Sequence, residues 1–306
     1  MLSFKVLNSL RSLHIEAIDW HNRVVSNGGS VSPTTLRAVS NFCRSIDGAG
    51  IRSKFLRLNL FCGNNLNSCL TPLYRGPSYG ALYGNTTETN VGPFIDTDFT
   101  ESVGLTGNGS SKLLETGLTI GTLATLGANY DNLHVSVYQR GVVEGDPVFG
   151  GQDPFAPVYG NSLILDTAGS LAAPSFFDAG GANGGEGVEM ITSAIVQPGF
   201  NLAQSYEIGG PVDAIWLTNG TANSLNSSIN VFPQAFNSLD PLPLYVMGAY
   251  SNDLGDGSPT PYYSVATLAG YSVGLGIDSV NGGDGPSNLA FYKAMLAFQT
   301  ALRRNV

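Results

Sequence analysis

Leu10, Leu13, Ala17, Trp20 and Val24 recur at spacings of three and four, which places them on one face of a helix ending at Asn27-Gly28-Gly29. A second helix is predicted from Ser32 as N-cap with Pro33 in its first turn. Leu36, Val39, Cys43 and Ile46 form its inner face, and Gly48 and Gly50 end it. The pair reads as a helical hairpin. Phe55, Leu58, Leu60 and Phe61 then lead into FCGNNLNSCLTPLYRG, where turn residues displace the helical pattern. After about residue 76 the period falls to two. Leu133, Val135 and Val137 alternate with His134, Ser136 and Tyr138, and Tyr271, Val273, Leu275 and Ile277 alternate with serine and glycine. Ile215, Trp216 and Leu217 run into Asn219-Gly220, a strong hairpin signal. Gly/Asn/Asp/Pro loops such as GGQDPFAPVYG, DAGGANGGEG and SNDLGDGSPTP lie between, with the spacing of a two-sheet sandwich. The chain closes on another helix. Ser287 is placed to cap it, Phe291, Met295, Phe298 and Leu302 form its buried stripe, and Arg303 and Arg304 follow where the helix dipole favours cations. The expected fold is mainly β, an antiparallel two-sheet sandwich over residues 76–306, preceded by a helical segment over 1–75 and carrying a C-terminal helix over 287–304.

Composition agrees with that architecture: 12% of residues are charged, against about 25% in ordinary soluble domains, and 39 are glycine. No apolar run approaches the roughly 20 residues that span a bilayer, so no membrane contact is expected. Net charge is −9, but residues 1–75 hold nine Lys/Arg against Glu16, Asp19 and Asp47, a net +6 that leaves −15 for the remainder. Two readings follow. Either the basic segment docks on another protein, or it folds back on its own acidic sandwich. The charges are spread round amphipathic helices without interleaved aromatics, so nucleic acid is not an expected partner. MLSFKVLNSLRSLHIEAIDW does not read as a secretion signal, which implies a protein made in the cytoplasm. Cys43, Cys62 and Cys69 read as reduced and structural; a metal site would want His or a fourth Cys near them.

Three stretches are candidates for chemistry. Gly76-Pro77-Ser78-Tyr79-Gly80 fits G-x-S-x-G, but it lacks the flanking strand and helix that expose a nucleophilic serine, and His134 is the only downstream histidine. Asp96-Thr97-Asp98-Phe99-Thr100-Glu101 is similar to the E-x-D-x-x-E strand of concanavalin A-like glucanases, in which carboxylates project from one strand and retaining chemistry needs two of them about 5 Å apart. Asp96, Asp98 and Glu101 are therefore the candidate catalytic residues, weighed against an acidic linker strand. Asp253, Asp256 and Asp284 are candidate ligands for a loop Ca²⁺, although Leu254 occupies what would be a ligand position. No other cofactor is expected. Tyr79, Tyr83, Tyr262, Tyr263 and Trp216 are candidates for stacking on sugar rings.

FCGNNLNSCLTPLYRGPSYGALYGNTTETN, LTGNGSSKLLETGL and AGYSVGLGIDSVNGG with FYKAMLAFQTALRRNV resemble a group of phage and prophage proteins. The body of those proteins is a concanavalin A-like, laminin-G-type jelly roll behind a helical segment. The resemblance implies a structural virion protein, a capsid decoration, head fibre or tail-associated subunit that is not an enzyme. Its implied partners are other virion proteins and further copies of itself, with residues 1–75 as the docking element. A host-surface glycan is the alternative partner, and a glycoside hydrolase of the same fold the further alternative.

Overall fold

The computed structural model describes residues 13–129, 132–141, 147–152, 162–166, 197–207, 212–224, 243–251, 260–278 and 285–306. Helix α1 (Ile15–Ser26) starts one turn later than the apolar spacing suggests, because His14 takes the N-cap and its Nδ1 accepts the Glu16 N–H at 3.3 Å. Helix α2 (Pro33–Gly48) follows the expected pattern: Ser32 Oγ accepts the Thr35 N–H, Pro33 opens the first turn, and Val39, Cys43 and Ile46 are buried. The next segment does not stay helical. Strand β1 (Phe55–Asn59) is buried at all five positions, and α3 (Leu66–Cys69) is a single turn.

The remaining elements are β2 (Thr89–Asn90), β3 (Phe99–Thr100), β4 (Gly104–Thr106), β5 (Leu114–Thr119), α4 (Ile120–Thr125), β6 (Asn132–Gln139), β7 (Pro147–Gln152), β8 (Ser162–Asp166), β9 (Gly199–Glu207), β10 (Val212–Thr218), β11 (Thr221–Ser224), β12 (Pro243–Val246), β13 (Gly248–Ser251), β14 (Thr260–Tyr263), β15 (Thr267–Gly274) and α5 (Pro286–Ala301). The eight-stranded sheet runs β11-β10-β9-β6-β15-β4-β3 with β1 as its eighth strand beside β15, the five-stranded sheet runs β2-β5-β12-β7-β8, and β13 and β14 pair as a separate ribbon. All pairings among the described strands are antiparallel. The fold is thus mainly β, an antiparallel two-sheet sandwich with helices at both ends of the chain. The Asn219-Gly220 hairpin is present, with φ of 50° and 80° at its two turn residues, as a tight two-residue turn requires.

Strand β1 ties the early residues into the sheet. It takes the half of β15 from Tyr271 to Gly274, while β4 takes Thr267 and Leu268 of the same edge. Between them Gly270 has φ +156°, and a Cβ there would stand 2.9 Å from Asn59 O. Residues on both sides of position 75 therefore share one sheet and one core.

The eight-stranded sheet is covered on both faces because its strands alternate two buried sets. Leu133, Val135, Val137, Tyr271, Val273 and Trp216 pack between the sheets. Tyr138, Phe200, Leu202, Ile215, Leu217 and Ala269 face a helical layer built from Trp20, Val24, Phe42, Ile46, Phe291, Met295 and Phe298. Within residues 13–75 the two helices thus pack on the sandwich. Helix α5 has the predicted buried stripe, but Gly285 holds its N-cap position in place of Ser287, and the Asn288 N–H is capped by Asp278 Oδ2 at 2.8 Å. Its end also departs from expectation. Arg303 is exposed, whereas Arg304 is fully buried and donates to Leu60 O, Phe61 O, Ala269 O and Glu101 O.

Candidate functional site

Helix α1 and the chain leading into and out of β1 gather five charged side chains round one pocket: Glu16, Asp19, Arg23, Arg52 and Arg75. Segment 73–75 returns alongside β1, with Tyr74 bridged to Leu58, which carries Arg75 to the same side as α1. Ser78, Tyr79, Gly80, Ala81 and Leu82 make the rim of a cavity of about 40 Å³. Arg23 Nε donates to Asp19 Oδ2 at 2.9 Å, and its terminal nitrogens to Pro72 O and Leu73 O. Arg52 Nε donates to Glu16 Oε1 at 2.7 Å and Nη1 to Gly76 O, and its guanidinium lies 3.7 Å from the centre of the Tyr74 ring. Arg75 Nη2 donates to Gly84 O, while its buried Nε has no hydrogen-bond partner among the described residues. Burial lowers the Arg75 pKa, and Arg57 and Arg23 nearby add to the effect. Burial raises the Glu16 carboxyl against the opposing pull of Arg52. Three cations face two carboxylates, so the pocket carries an excess positive charge.

Loop 76–84 above it is pinned at both ends. Gly76 O, Tyr83 O and Gly84 O accept from Arg52, Arg57 and Arg75, and the Tyr83 N–H donates to Arg75 O at 2.8 Å. Arg57 is itself locked, since its guanidinium grips the Glu88 carboxylate through two nitrogens at 3.2 and 2.9 Å and Tyr271 Oη donates to the same carboxylate. Burial would depress the Arg57 pKa, but Glu88 and Tyr271 outweigh it and hold the pKa above the usual value. On this braced loop Tyr79 is 54% and Leu82 69% exposed.

Ser78 sits on the exposed rim, and no histidine lines the pocket. His134 is fully buried against the helical layer. Its Nδ1 donates to Leu275 O at 2.7 Å and its Nε2 meets Ser272 Oγ at 2.9 Å, so the G-x-S-x-G stretch acquires no triad partner from it. The three carboxylates of the glucanase-like stretch do not share a strand: Asp96 and Asp98 lie in a 3₁₀ turn and Glu101 follows β3. Each is engaged in holding the chain. Asp96 Oδ1 accepts the Leu66 N–H, and Asp98 Oδ2 accepts the Ile95 N–H and pairs with Lys112. Glu101 Oε1 accepts from Thr35 Oγ1 and the Gly63 N–H, both at 2.8 Å. Asp253, Asp256 and Asp284 lie outside the described residues. Of the candidate stacking aromatics, Trp216 is buried between the sheets, while Tyr79 and Tyr83 are exposed beside the pocket. The pocket itself was hidden in the sequence. Its only trace was the concentration of arginine in residues 1–75, and four of those arginines (Arg23, Arg52, Arg57 and Arg75) are spent inside the molecule, whereas Arg37 and Arg44 stand exposed on α2.

No family model matches the sequence, and no curated protein matches it. Among solved structures, the chain is similar to the full-length tailspike protein 2 of Escherichia coli O157:H7 bacteriophage CAB120, at 16% identity over 72% of this chain and 30% of that one, with a TM-score of 0.35. It is similar to a mutant of Trypanosoma rangeli sialidase displaying trans-sialidase activity, at 10% identity over 85% and 39% of the two chains, TM-score 0.39. It is also similar to a β-1,3-glucanase from Mycobacterium marinum, at 12% identity over 60% and 77%, TM-score 0.28. The chain spans less than half the length of the tailspike and of the sialidase. With a sialidase and a glucanase among the structures it is similar to, the expectation that the chain is not an enzyme does not stand.

Proposed function

We propose that this chain is a structural component of a bacteriophage particle that makes its contacts through loop 76–84. The observation that carries the reading is the loop itself. Arginine-to-carbonyl bonds fix its two ends while Tyr79 and Leu82 stand out into solvent, so the ordering cost of presenting them is already met before a partner arrives. Exposed aromatic and aliphatic side chains on a fixed loop are what a contact surface requires, and tyrosine is among the residues that dominate interface energies. The sequence resemblance to phage and prophage proteins supplies the particle, with other virion proteins or further copies of this chain as partners. Full-length protein would be offered to particles lacking it, alongside a Tyr79→Ser/Leu82→Ser double variant. Surface changes of this kind leave stability within about 0.5 kcal/mol. The expected result is incorporation of the parent chain and a tenfold or greater loss for the variant; equal incorporation removes the loop from the reading.

A second reading is favoured by the pocket beneath the loop. Arg23, Arg52 and Arg75 with Tyr79 at the rim offer a cation-lined recess and a ring face, which suits an acidic sugar on a host surface. A glycan array comparing acidic with neutral sugars tests it. Selective binding that Arg75→Ala abolishes supports it, and release of free sugar from the bound glycan would turn the reading towards a glycosidase.

A further inference from the structure

His14 and Glu16 at the start of α1 and Cys43 on α2 converge, and of the three Glu16 also lines the arginine pocket. One ligand atom from each lies within 4.8 Å of the others. Cys43 is completely buried and Glu16 is 6% exposed. Glu16 Oε1 is taken by Arg52, but its buried Oε2 accepts no hydrogen bond among the described residues. A carboxylate oxygen left so calls for a partner, because buried polar atoms are almost always paired. His14 is already oriented. Its Nε2 lies 2.8 Å from Asp47 Oδ2, so the ring proton sits on that side, and Nδ1 spends its one lone pair on a long 3.3 Å bond from the Glu16 N–H, which an ion at Nδ1 would replace. A carboxylate behind an imidazole is the arrangement that fixes tautomer and orientation in metal-bound histidines.

From this geometry we infer that His14 Nδ1, Glu16 Oε2 and Cys43 Sγ form a binding site for Zn²⁺, with Asp47 and Arg52 holding two of the three ligands from behind. A nitrogen, oxygen and sulfur set matches zinc, whose bonds to these atoms run about 2.0–2.3 Å, so closing on the ion asks for side-chain movements of about 1 Å. Glu16 also lines the pocket, so a fourth position is reached by water from there. The charges balance. The dication and Arg52 face the carboxylates of Glu16 and Asp47 and the Cys43 thiolate, whose proton passes to solvent on binding. Occupied, the site would clamp the start of α1 to the last turns of α2. None of this depends on what loop 76–84 contacts.

The test uses the full chain, stripped with a chelator and titrated with Co²⁺ as a coloured probe for zinc. The expected result is one equivalent bound with a thiolate-to-cobalt charge-transfer band that Zn²⁺ bleaches. Cys43→Ser should lose the band and Cys62→Ser should keep it. Asp47 is half exposed, so Asp47→Ala folds, and it should weaken zinc binding by roughly 10- to 100-fold. Absence of the band in the parent chain overturns the site, as does a band that survives Cys43→Ser. Should Cys43→Ser fail to fold, His14→Ala is read in its place, and unchanged zinc affinity in that variant is equally fatal.

Discussion

The two faces of the central sheet are buried by different means. Towards the second sheet, β6 and β15 present Leu133, Val135, Val137, Val273 and the ring of Tyr271, with Gln139 and the Tyr271 Oη that donates to Glu88 as the polar exceptions, so the layer is held largely by apolar area. Towards the helices the same two strands present His134, Ser136 and Ser272 beside Tyr138 and Ala269, all buried. There the polar groups are paired. Ser136, Ser272 and His134 form a chain ending on Leu275 O, Gln204 binds the backbone of Ile277 and Asp278, and Gln299 and Arg304 reach Ala269 O. An apolar layer tolerates sliding, whereas a hydrogen bond is satisfied in one position only. Apart from the buried Arg57–Glu88–Tyr271 cluster, the sandwich is condensed by area, while the helices are placed on it by specific pairs.

The largest loss should come from putting a carboxylate where α2 and α5 pack ring against ring, beside an Arg304 guanidinium whose donors are already taken. Phe298 is 2% exposed and packs edge-on against Phe42 across the contact of α2 and α5. Phe298→Asp would bury an unpaired carboxylate, which is worse than the roughly 3–5 kcal/mol of a Phe→Ala cavity, and soluble expression should be lost. A variant that melts with the parent would show the helices to be peripheral. The next effect comes from Arg304. Arg304→Met keeps the length but leaves Leu60 O, Phe61 O and Ala269 O without that donor, and should cost about 4 kcal/mol in urea unfolding. By contrast Val135→Ala, on the face between the sheets, should cost about 2 kcal/mol, the ordinary loss for deleting two buried methyl groups. If the two variants cost the same, the two faces do not differ in the way described.

His134 adds a pH signature to the helix-facing side. Burial pushes its pKa down to about 4, from a usual value of 6.5, so the folded protein holds the ring neutral. The unfolded chain binds the proton first. The contribution is therefore complete above pH 6.5 and is lost as pH falls towards 4, a difference of about 3 kcal/mol. Unfolding free energies at pH 7, 5.5 and 4.5 should fall accordingly. In His134→Gln that share of the slope should disappear, and an unchanged slope would show that other groups cause it.

What the sequence disclosed follows the same division. The helix from Ser32, the β6 alternation and the Asn219-Gly220 hairpin were legible because each rests on neighbours in the chain: a cap, a period, a turn dipeptide. Strand β1 was not, since burial on both faces erases the alternation that marks a strand. Asp96, Asp98 and Glu101 had the spacing of a catalytic strand, but Asp98 folds back on the Ile95 N–H and turns the stretch into a 3₁₀ corner. The meeting of His14 with Cys43 and the pocket of Arg23, Arg52 and Arg75 depend on helix packing, which no local spacing reports.

The smallest effect expected concerns whether the helix-facing hydroxyls act as a directed chain. Leu275 O can only accept, so His134 Nδ1 must carry the proton and Nε2 the lone pair. Ser272 Oγ must then donate to Nε2, which leaves it to accept from Ser136 Oγ at 2.7 Å. The order makes the two serines unequal. Ser136→Ala removes the outermost donor while Ser272 keeps its bond to His134, and should cost under about 1 kcal/mol. Ser272→Ala strands the Nε2 lone pair in a fully buried ring and should cost about 1–3 kcal/mol. Once Ser272 is gone, Ser136 has no partner to serve, so adding Ser136→Ala to that variant should cost almost nothing. Urea unfolding of the two single variants and the double completes the cycle, and additive losses would mean that the hydroxyls fill space independently and that the direction deduced from Leu275 is wrong.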